Sequence, residues 1–597
     1  MYQEVDFQFA NFFPDESIRP FALMLSQRLR EGHICIPVDD HTDIQTPLGT
    51  VSRRQLKNVS GKMVAETDGP TPFIYQHQHL YLQRYYRYET KIISLLKQRL
   101  LSGIQKRESY QQQLDQIREL IQSQMSTYQL DGLSEDEKTD WQLIAVVRAM
   151  LNDFSIITGG PGTGKTTTLA KLLLVLYTLQ PDCRVALAAP TGKASMRMIE
   201  SLRERSKDFP DHIAQQIQQL KPFTLHRLLG YKSNSIYFKH SEELPLPYHW
   251  IIVDEASMID VPMFAKLLSA CAPSTRLLLL GDKDQLASVE AGSLLGDLCM
   301  SAERLNRFPS EEIKWLNTFI KDEARQIQDS YKNEQPLPLA ASITELRLSR
   351  RFQQQGEVGK LSQHIIKGES LAAVDLLRTS TSLQIQRIEH NQDDIFQNFV
   401  QGYTAFMEEP ETDLALKKLS NLRVLVTVRE GKRGLYAVNQ AIERILRSFR
   451  PELINPQDEF YYNRPVMITQ NNYELGLFNG DIGIVRKDPV TNKLKVWFEA
   501  TEKDKPLRSF NPAYLSNCET VFAMTIHKSQ GSEFDRVMVV LPDDADNPLL
   551  TRELIYTGIT RAKESVIIQG SEEALMSGID RCVMRISGVP LRMKTLS

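Results

Sequence analysis

The stretch from Ser155 to Leu173, SIITGGPGTGKTTTLAKLL, restricts this chain more than any other. An apolar strand runs into a glycine-rich turn that matches G-x-x-x-x-G-K-[ST] from Gly159 to Thr166, and an apolar helix follows at once. Glycines at such a turn let backbone N–H groups approach phosphate oxygens, and the helix N-terminus adds positive potential. Lys165 is placed to reach the terminal phosphates and Thr166 to ligate Mg²⁺. The stretch predicts one strand, turn and helix of an α/β sheet. Its turn, formed by Gly159, Gly160, Pro161, Gly162, Thr163, Gly164, Lys165, Thr166 and Thr167, is the expected cradle for a nucleoside triphosphate.

Continuous apolar runs alternate with helical segments on the C-terminal side of this motif: RVALAAPT, HWIIVDEAS and RLLLLGDKDQ, then LRVLVTVREG, VFAMTIHKSQG, DRVMVVLP and ESVIIQG beyond Glu345. Runs of this kind read as parallel strands buried on both faces, so two α/β lobes are expected, over residues 126–345 and 346–597. Alternating strands and the turn pairs Asn479-Gly480 and Asp488-Pro489 predict a small β module inserted at about 456–518. A lesser insertion is expected at about 231–248. Residues 1–125 read as a mostly helical domain that carries a polar helix from about Glu89 to Gln124.

At 597 residues the chain is too long for one core. With 42% hydrophobic and 24% charged residues it reads as globular, without an apolar run of about 18 residues or a basic, apolar leader. Cytoplasm is the expected location. Six cysteines with no CxxC pair argue against a zinc ribbon, and a net charge of -3 confines any nucleic-acid site to a local groove.

Asp254 and Glu255 close the apolar strand in HWIIVDEAS. At a strand end beside a phosphate cradle, Asp254 can hold Mg²⁺ and Glu255 can orient and deprotonate the attacking water, whereas alone the pair would read equally well as an acidic turn. A third strand ends at Asp282 and Gln285, where an amide can sense the γ-phosphate. Transition-state charge also calls for a cation, and Arg561 in YTGITRAKES and Arg351 in LRLSRRF are the candidates.

In order, DWQLIAVV, GGPGTGKT, APTGKA, TLHRLLG, DEAS, GDKDQL, SRRF, TIHKSQGSEF and YTGITRAK resemble the motif set of superfamily 1 helicases, specifically the 5′-to-3′ branch that includes RecD and Pif1-type enzymes. The resemblance covers most of the chain after about residue 140. It implies two RecA-like lobes, an SH3-like inserted module, and ATP-driven 5′-to-3′ translocation on DNA. Carried over residue by residue, it implies that Gln142 reads adenine, that Gly531 and Glu533 face the nucleotide, and that Gln285, Arg351 and Arg561 face the γ-phosphate. Thr191, Lys193, Thr224, His226, Thr525 and His527 are implied to line the strand groove. This gives the loop from Thr525 to Glu533 contacts with both ligands. Two positions depart from the family. Arg350-Arg351-Phe352 stands where Tyr-Arg-Phe is usual, so both arginines are candidates and Arg351 is taken; REGKRG replaces REGPxG at Arg429 to Gly434.

The N-terminal stretches FALMLSQRLREGHICIPV and TPFIYQHQHLYLQRYYRYET resemble the amino-terminal domain of the RecD family. That resemblance implies a subunit of a heterotrimer with RecB-like and RecC-like partners, acting in double-strand-break repair, recombination and DNA degradation. The exonuclease site would belong to a partner, and the alternative is a stand-alone RecD-like helicase. The apolar set Phe21, Leu25, Leu29, Ile34, Ile36, Phe73, Leu80, Tyr81, Leu82, Tyr85 and Tyr86 looks larger than a short domain needs, which predicts that part of it is a docking surface.

Overall fold

The structure is a computed structural model and describes residues 2–232, 235–288, 290–302, 304–349, 356–455, 458–472, 474–499, 507–515 and 517–594. The first lobe is built on six parallel strands, β1 (Phe154–Thr158), β2 (Val185–Ala189), β3 (Pro222–Thr224), β4 (Trp250–Val253), β5 (Arg276–Gly281) and β6 (Ile343–Glu345), in the order β6-β1-β5-β4-β2-β3. Every residue of β1, β2, β4 and β5 is buried. Side chains alternate between two cores: Ile156, Ala188, Val253 and Leu279 enter one, and Ile157, Leu187, Ile252 and Leu278 enter the other. A strand clothed on both faces has no solvent side, which is why these runs show no polar alternation.

The second lobe has β7 (Ile385–Ile388), β8 (Leu422–Val426), β14 (Ala523–Thr525), β15 (Phe534–Val540) and β16 (Ala562–Gln569), again parallel, in the order β7-β16-β15-β8-β14. Between β8 and β14 the chain leaves for the module: β9 (Pro465–Ile468), β10 (Ile482–Lys487), β11 (Leu494–Glu499), β12 (Leu507–Phe510) and β13 (Cys518–Thr520), antiparallel in the order β12-β11-β10-β9-β13. It has a small core of its own around Val466, Val485, Val496 and Phe498. Only Val521 and Phe522 separate its last strand from β14, so the module is mechanically continuous with the strand that carries Thr525.

The N-terminal region adds to its helices a four-stranded sheet (Cys35–Pro37, Val64–Ala65, Phe73–Gln76 and His79–Leu82) that the sequence reading did not anticipate, because its strands are only two to four residues long. Helix α1 (Gln83–Gln116) follows; at 34 residues it spans about 50 Å. It lies on the first lobe, where Arg99 donates to the carbonyls of Cys271 and Ala272, each at 3.0 Å.

This packing overturns the argument for an exposed apolar docking surface. Phe21, Leu25, Ile34, Ile36, Phe73, Leu80, Tyr81 and Tyr86 are buried within the chain, and Leu29, Leu82 and Tyr85 are partly so. The surplus is taken up by the first lobe: Ile34, Tyr81 and Tyr86 join the same core as Phe154 and Leu279.

Candidate nucleotide site and strand groove

β1 delivers the chain to the phosphate loop, and helix α3 (Lys165–Leu179) leaves it. Gly164 supplies the left-handed residue at the start of α3, with φ +88°, and a Cβ there would fall 2.2 Å from Gln142 Nε2. Only glycine satisfies both conditions. Gln142 lies in the first turn of helix α2 (Trp141–Leu151), donates to the Thr163 carbonyl at 3.0 Å and accepts from Lys171 Nζ at 3.4 Å. Lys165 folds back on its own loop, donating to the carbonyls of Gly159 (2.6 Å) and Gly160 (3.2 Å), bonds that a phosphate oxygen can replace.

The carboxylates come from the carboxyl ends of β5, which pairs with β1, and of β4, the next strand over. Asp282, after β5, is pushed up to about 6 by burial, with the Lys165 cation opposing; Asp254, after β4, is pushed up to about 6 by burial and then by Glu255, with Lys165 again opposing. Lys165 thus faces both acids. Two carboxylates resisting ionisation at a phosphate loop suit a divalent cation that supplies the missing positive charge. The donor set of Thr166 and Asp254, completed by phosphate oxygens and water, fits Mg²⁺, which seldom takes a cage made wholly of protein. Among the described residues no group of three or more His, Cys, Asp or Glu could hold a metal by itself.

Glu255 adopts φ +53°, a conformation a non-glycine residue reaches at a cost of roughly 1–3 kcal/mol and one that clusters at functional sites. Its N–H donates to Asp254 Oδ1 at 2.9 Å. Gln285 donates to Asp282 Oδ2 at 3.0 Å, and its buried Oε1 has no hydrogen-bond partner among the described residues. A buried orphan acceptor beside a phosphate loop is an open place for a water or a hydroxyl.

The second lobe closes on this cleft. Tyr556, on helix α5 (Arg552–Ile559), donates to Asp282 Oδ2 at 3.2 Å; Leu286 is held on both sides, its N–H by Thr557 and its carbonyl by Gln530. Arg561 is buried behind the loop of Gly531 and Glu533, where its donors hold the carbonyls of Thr557 (3.1 Å) and Ser532 (3.3 Å). Arg350 and Arg351 lie outside the described residues. Sequence reading missed a further arginine, Arg197 of helix α4 (Gly192–Arg205), which donates to the Gly531 carbonyl at 2.8 Å and faces Glu533, Arg561 and Glu255. Its position four residues after Lys193, on one helix face, was the available signal.

The residues expected in the strand groove share one local design. Thr191 and Thr224 each end a segment of extended chain and cap the helix that follows, accepting from Ala194 and Arg227 at 3.3 Å; Thr525 likewise accepts from Lys528 at 3.4 Å. Their hydroxyls therefore already have a structural task. Lys193, His226 and His527 stand two residues further on, at the carboxyl edges of the two sheets. The structure seats Thr191, Lys193, Thr224 and His226 on the first lobe, and Thr525 and His527 on the second. The inserted module reaches across between them. Phe478 packs over Gly192, whose Cβ position is 3.3 Å from the ring, and under the Arg227 guanidinium at 6.0 Å, while Asn479 accepts from Lys528 at 2.6 Å. Nothing in the pattern of a lone Phe before Asn-Gly marked it beforehand.

Three family models match in order along the chain. An AAA domain covers residues 142–291, an ATP-dependent RecD-like DNA helicase SH3 domain covers 438–498, and a UvrD-like helicase C-terminal domain covers 520–569. The RecBCD enzyme subunit RecD of Haemophilus influenzae is 32% identical, with 99% of this chain and 97% of the relative aligned; that of Mycobacterium tuberculosis is 31% identical, over 97% and 92%. The ATP-dependent RecD2 DNA helicase of Deinococcus radiodurans is 27% identical over 74% of this chain and 50% of its own length. A Bacteroides Pif1 bound to single-stranded DNA covers 73% of this chain and 92% of that one, at 17% identity and a TM-score of 0.35. Matched to RecD subunits along nearly the whole of both chains, and carrying the three helicase domains in sequence, this chain belongs to the RecD family and is an ATP-dependent DNA helicase of that type.

Proposed function

We propose that the cleft between the two lobes binds ATP with Mg²⁺ and that hydrolysis there drives a single DNA strand, 5′ to 3′, through the groove on the carboxyl edges of the sheets. Gln142 takes the adenine, residues 159–167 the phosphates, and Gly531 and Glu533 the nucleotide face of the second lobe. Thr166 and Asp254 hold the metal, which neutralises charge on the phosphates being separated. Glu255 orients and deprotonates the water, Gln285 reads the γ-phosphate, and Arg561, with Arg351 or Arg350, answers the transition-state charge. Thr191, Lys193, Thr224, His226, Thr525 and His527 contact the strand.

One observation carries this reading: the segment from Thr525 to Glu533 is continuous, begins at the groove and ends against Arg197 and Arg561 at the nucleotide cleft. A shift of the second lobe on hydrolysis thus moves groove and cleft together. The units are taken as 1–125, 126–345 and 346–597, with the module at about 456–518.

We further propose that the chain works in the cytoplasm as the RecD-type subunit of a heterotrimer with RecB-like and RecC-like partners, in double-strand-break repair, recombination and DNA degradation. The near-complete coverage of relatives named as RecBCD subunits, against half of the RecD2 helicase, favours this over a stand-alone motor. No helix among the described residues is long and apolar enough to cross a membrane. Exonuclease activity is assigned to a partner. Co-purification from the native cell with mass spectrometry tests the assembly: partners of RecB and RecC type support it, and a monodisperse, fully active single chain refutes it.

A further inference from the structure

After its last lobe-2 helix (Glu572–Asp580) the chain does not stop at the second lobe. Residues 581–588 run back across the first lobe, and helix α6 (Val589–Lys594) packs on α1 and on the helix Leu294–Ser301. Along this strap Ile586 exchanges hydrogen bonds with the N-terminal region, its carbonyl accepting from Ile34 N–H at 2.8 Å and its N–H reaching His33 Nδ1 at 3.1 Å. Ser587 donates to Asp297 at 2.7 Å, and the Gly588 N–H donates to Glu89 at 2.9 Å. None of the nucleotide or strand-groove motifs used above includes these residues.

At the centre of the strap, Arg585 Nη1 donates to three carbonyls of one loop, Ser288 (2.7 Å), Gly292 (2.9 Å) and Glu290 (3.1 Å). Convergence of three carbonyls on one nitrogen requires a tightly curled backbone; Gly292 has φ +100°, and the Ser288 hydroxyl donates back to the carbonyls of Glu290 and Gly292. Gly32 lets the N-terminal region approach, since a Cβ there would lie 2.8 Å from Arg585 Nε. The loop begins three residues after Gln285, and Leu286 between them is held by Gln530 and Thr557 of the second lobe. Burial, and after it the Arg585 guanidinium, lower the proton affinity of His527 in the coupling segment. Arg585 therefore stands where the end of the second lobe, the N-terminal region and the loop that carries Gln285 meet.

We propose that Arg585 is a positioning residue for ATP hydrolysis: by gathering the carbonyls of Ser288, Glu290 and Gly292 it fixes the loop behind Gln285 to a strap that leaves the second lobe and is anchored on the first lobe and the N-terminal region. This rests on Gln285 facing the γ-phosphate, so Gln285→Ala is measured alongside. Displacing a catalytic group by about 1 Å from a remote site can cost up to roughly 100-fold. In the full chain, Arg585→Ala is expected to lower DNA-stimulated kcat by about tenfold or more while KM for ATP changes less than about threefold, the pattern of lost transition-state stabilisation. Arg585→Lys, which keeps a cation among the three carbonyls, is expected to restore most of the rate, and Ser587→Ala, which loosens the strap but leaves Arg585, to keep it. Arg585→Ala that lowers the thermal midpoint alone, or Ser587→Ala that matches its loss of kcat, overturns the proposal, as does an Arg585→Lys variant no better than alanine. If Gln285→Ala has normal kcat, the γ-phosphate reading fails; if Gln285→Ala is slow and Arg585→Ala is not, only the positioning role fails.

Discussion

Arg197 of the first lobe and Gly531 of the second are joined by a hydrogen bond of 2.8 Å that crosses the nucleotide cleft. The guanidinium is pushed below its ordinary value by burial, with Glu533 opposing and Arg561 adding to the shift. Lys193, proposed to contact the strand, lies four residues back on the same helix, so on that reading α4 links the two sites from the first lobe as the segment Thr525 to Glu533 does from the second. Two parallel connections, one in each lobe, meet at this bond.

Arg197→Ala is expected to reduce DNA stimulation of ATP hydrolysis by about tenfold, the loss of one charged hydrogen bond of roughly 1.5–3 kcal/mol. A double-mutant cycle with Glu533→Gln checks it: a coupling of about 1 kcal/mol or more is expected, and strictly additive effects would show that the two side chains act apart.

DNA affinity is expected to fall as pH rises through and above 7. Lys193 is pushed down to about 7 by burial, then by Arg197 and Arg423, with Glu499 and Asp481 opposing. A phosphate restores its charge, so binding takes up a proton above that value, and affinity drops by at most about tenfold per pH unit. Arg stays protonated, so Lys193→Arg is expected to flatten the slope. Titrations of a labelled single strand at constant salt decide; an equal slope in both proteins assigns the proton to another group.

Gly164→Ala is expected to destabilise the first lobe by about 1–3 kcal/mol and to abolish nucleotide binding, because φ +88° is strained for alanine and its methyl displaces the Gln142 amide from the Thr163 carbonyl. Thermal unfolding with and without a non-hydrolysable ATP analogue reads both effects. Normal nucleotide-induced stabilisation in the variant would contradict the assignment of this turn.

Phe478→Ala is expected to speed release of a bound single strand by about tenfold, since base stacking on an aromatic ring is worth roughly 1–3 kcal/mol. The ring packs at Gly192 and Arg227, beside Lys193, and gives the inserted module its contact with the groove. Dissociation followed after addition of excess competitor strand gives the rate; an unchanged rate removes Phe478 from the strand path.

The lobes were legible because strands buried on both faces must be apolar throughout, as RLLLLG and FSIIT are. The phosphate loop was legible because its chemistry demands fixed residue types at fixed spacing. Two kinds of feature were hidden. The sheet of the N-terminal region has strands of two to four residues, too short for a period to show, and its apolar surplus meets the first lobe through contacts between positions as remote as Glu89 and Gly588. Arg197, Phe478 and Arg585 have partners hundreds of residues away, and an isolated Arg or Phe carries no local mark of that. Arg561 was singled out by its motif, but its hold on the carbonyls of Ser532 and Thr557 could only be seen in three dimensions.

The most direct test of the central claim is strand displacement on duplexes with either a 5′ or a 3′ single-stranded tail, using the wild-type chain and Glu255→Gln. ATP-dependent unwinding of the 5′-tailed duplex alone, abolished in Glu255→Gln while nucleotide still binds, is the predicted result. Equal unwinding of the 3′-tailed duplex, or undiminished unwinding without the Glu255 carboxylate, would contradict it.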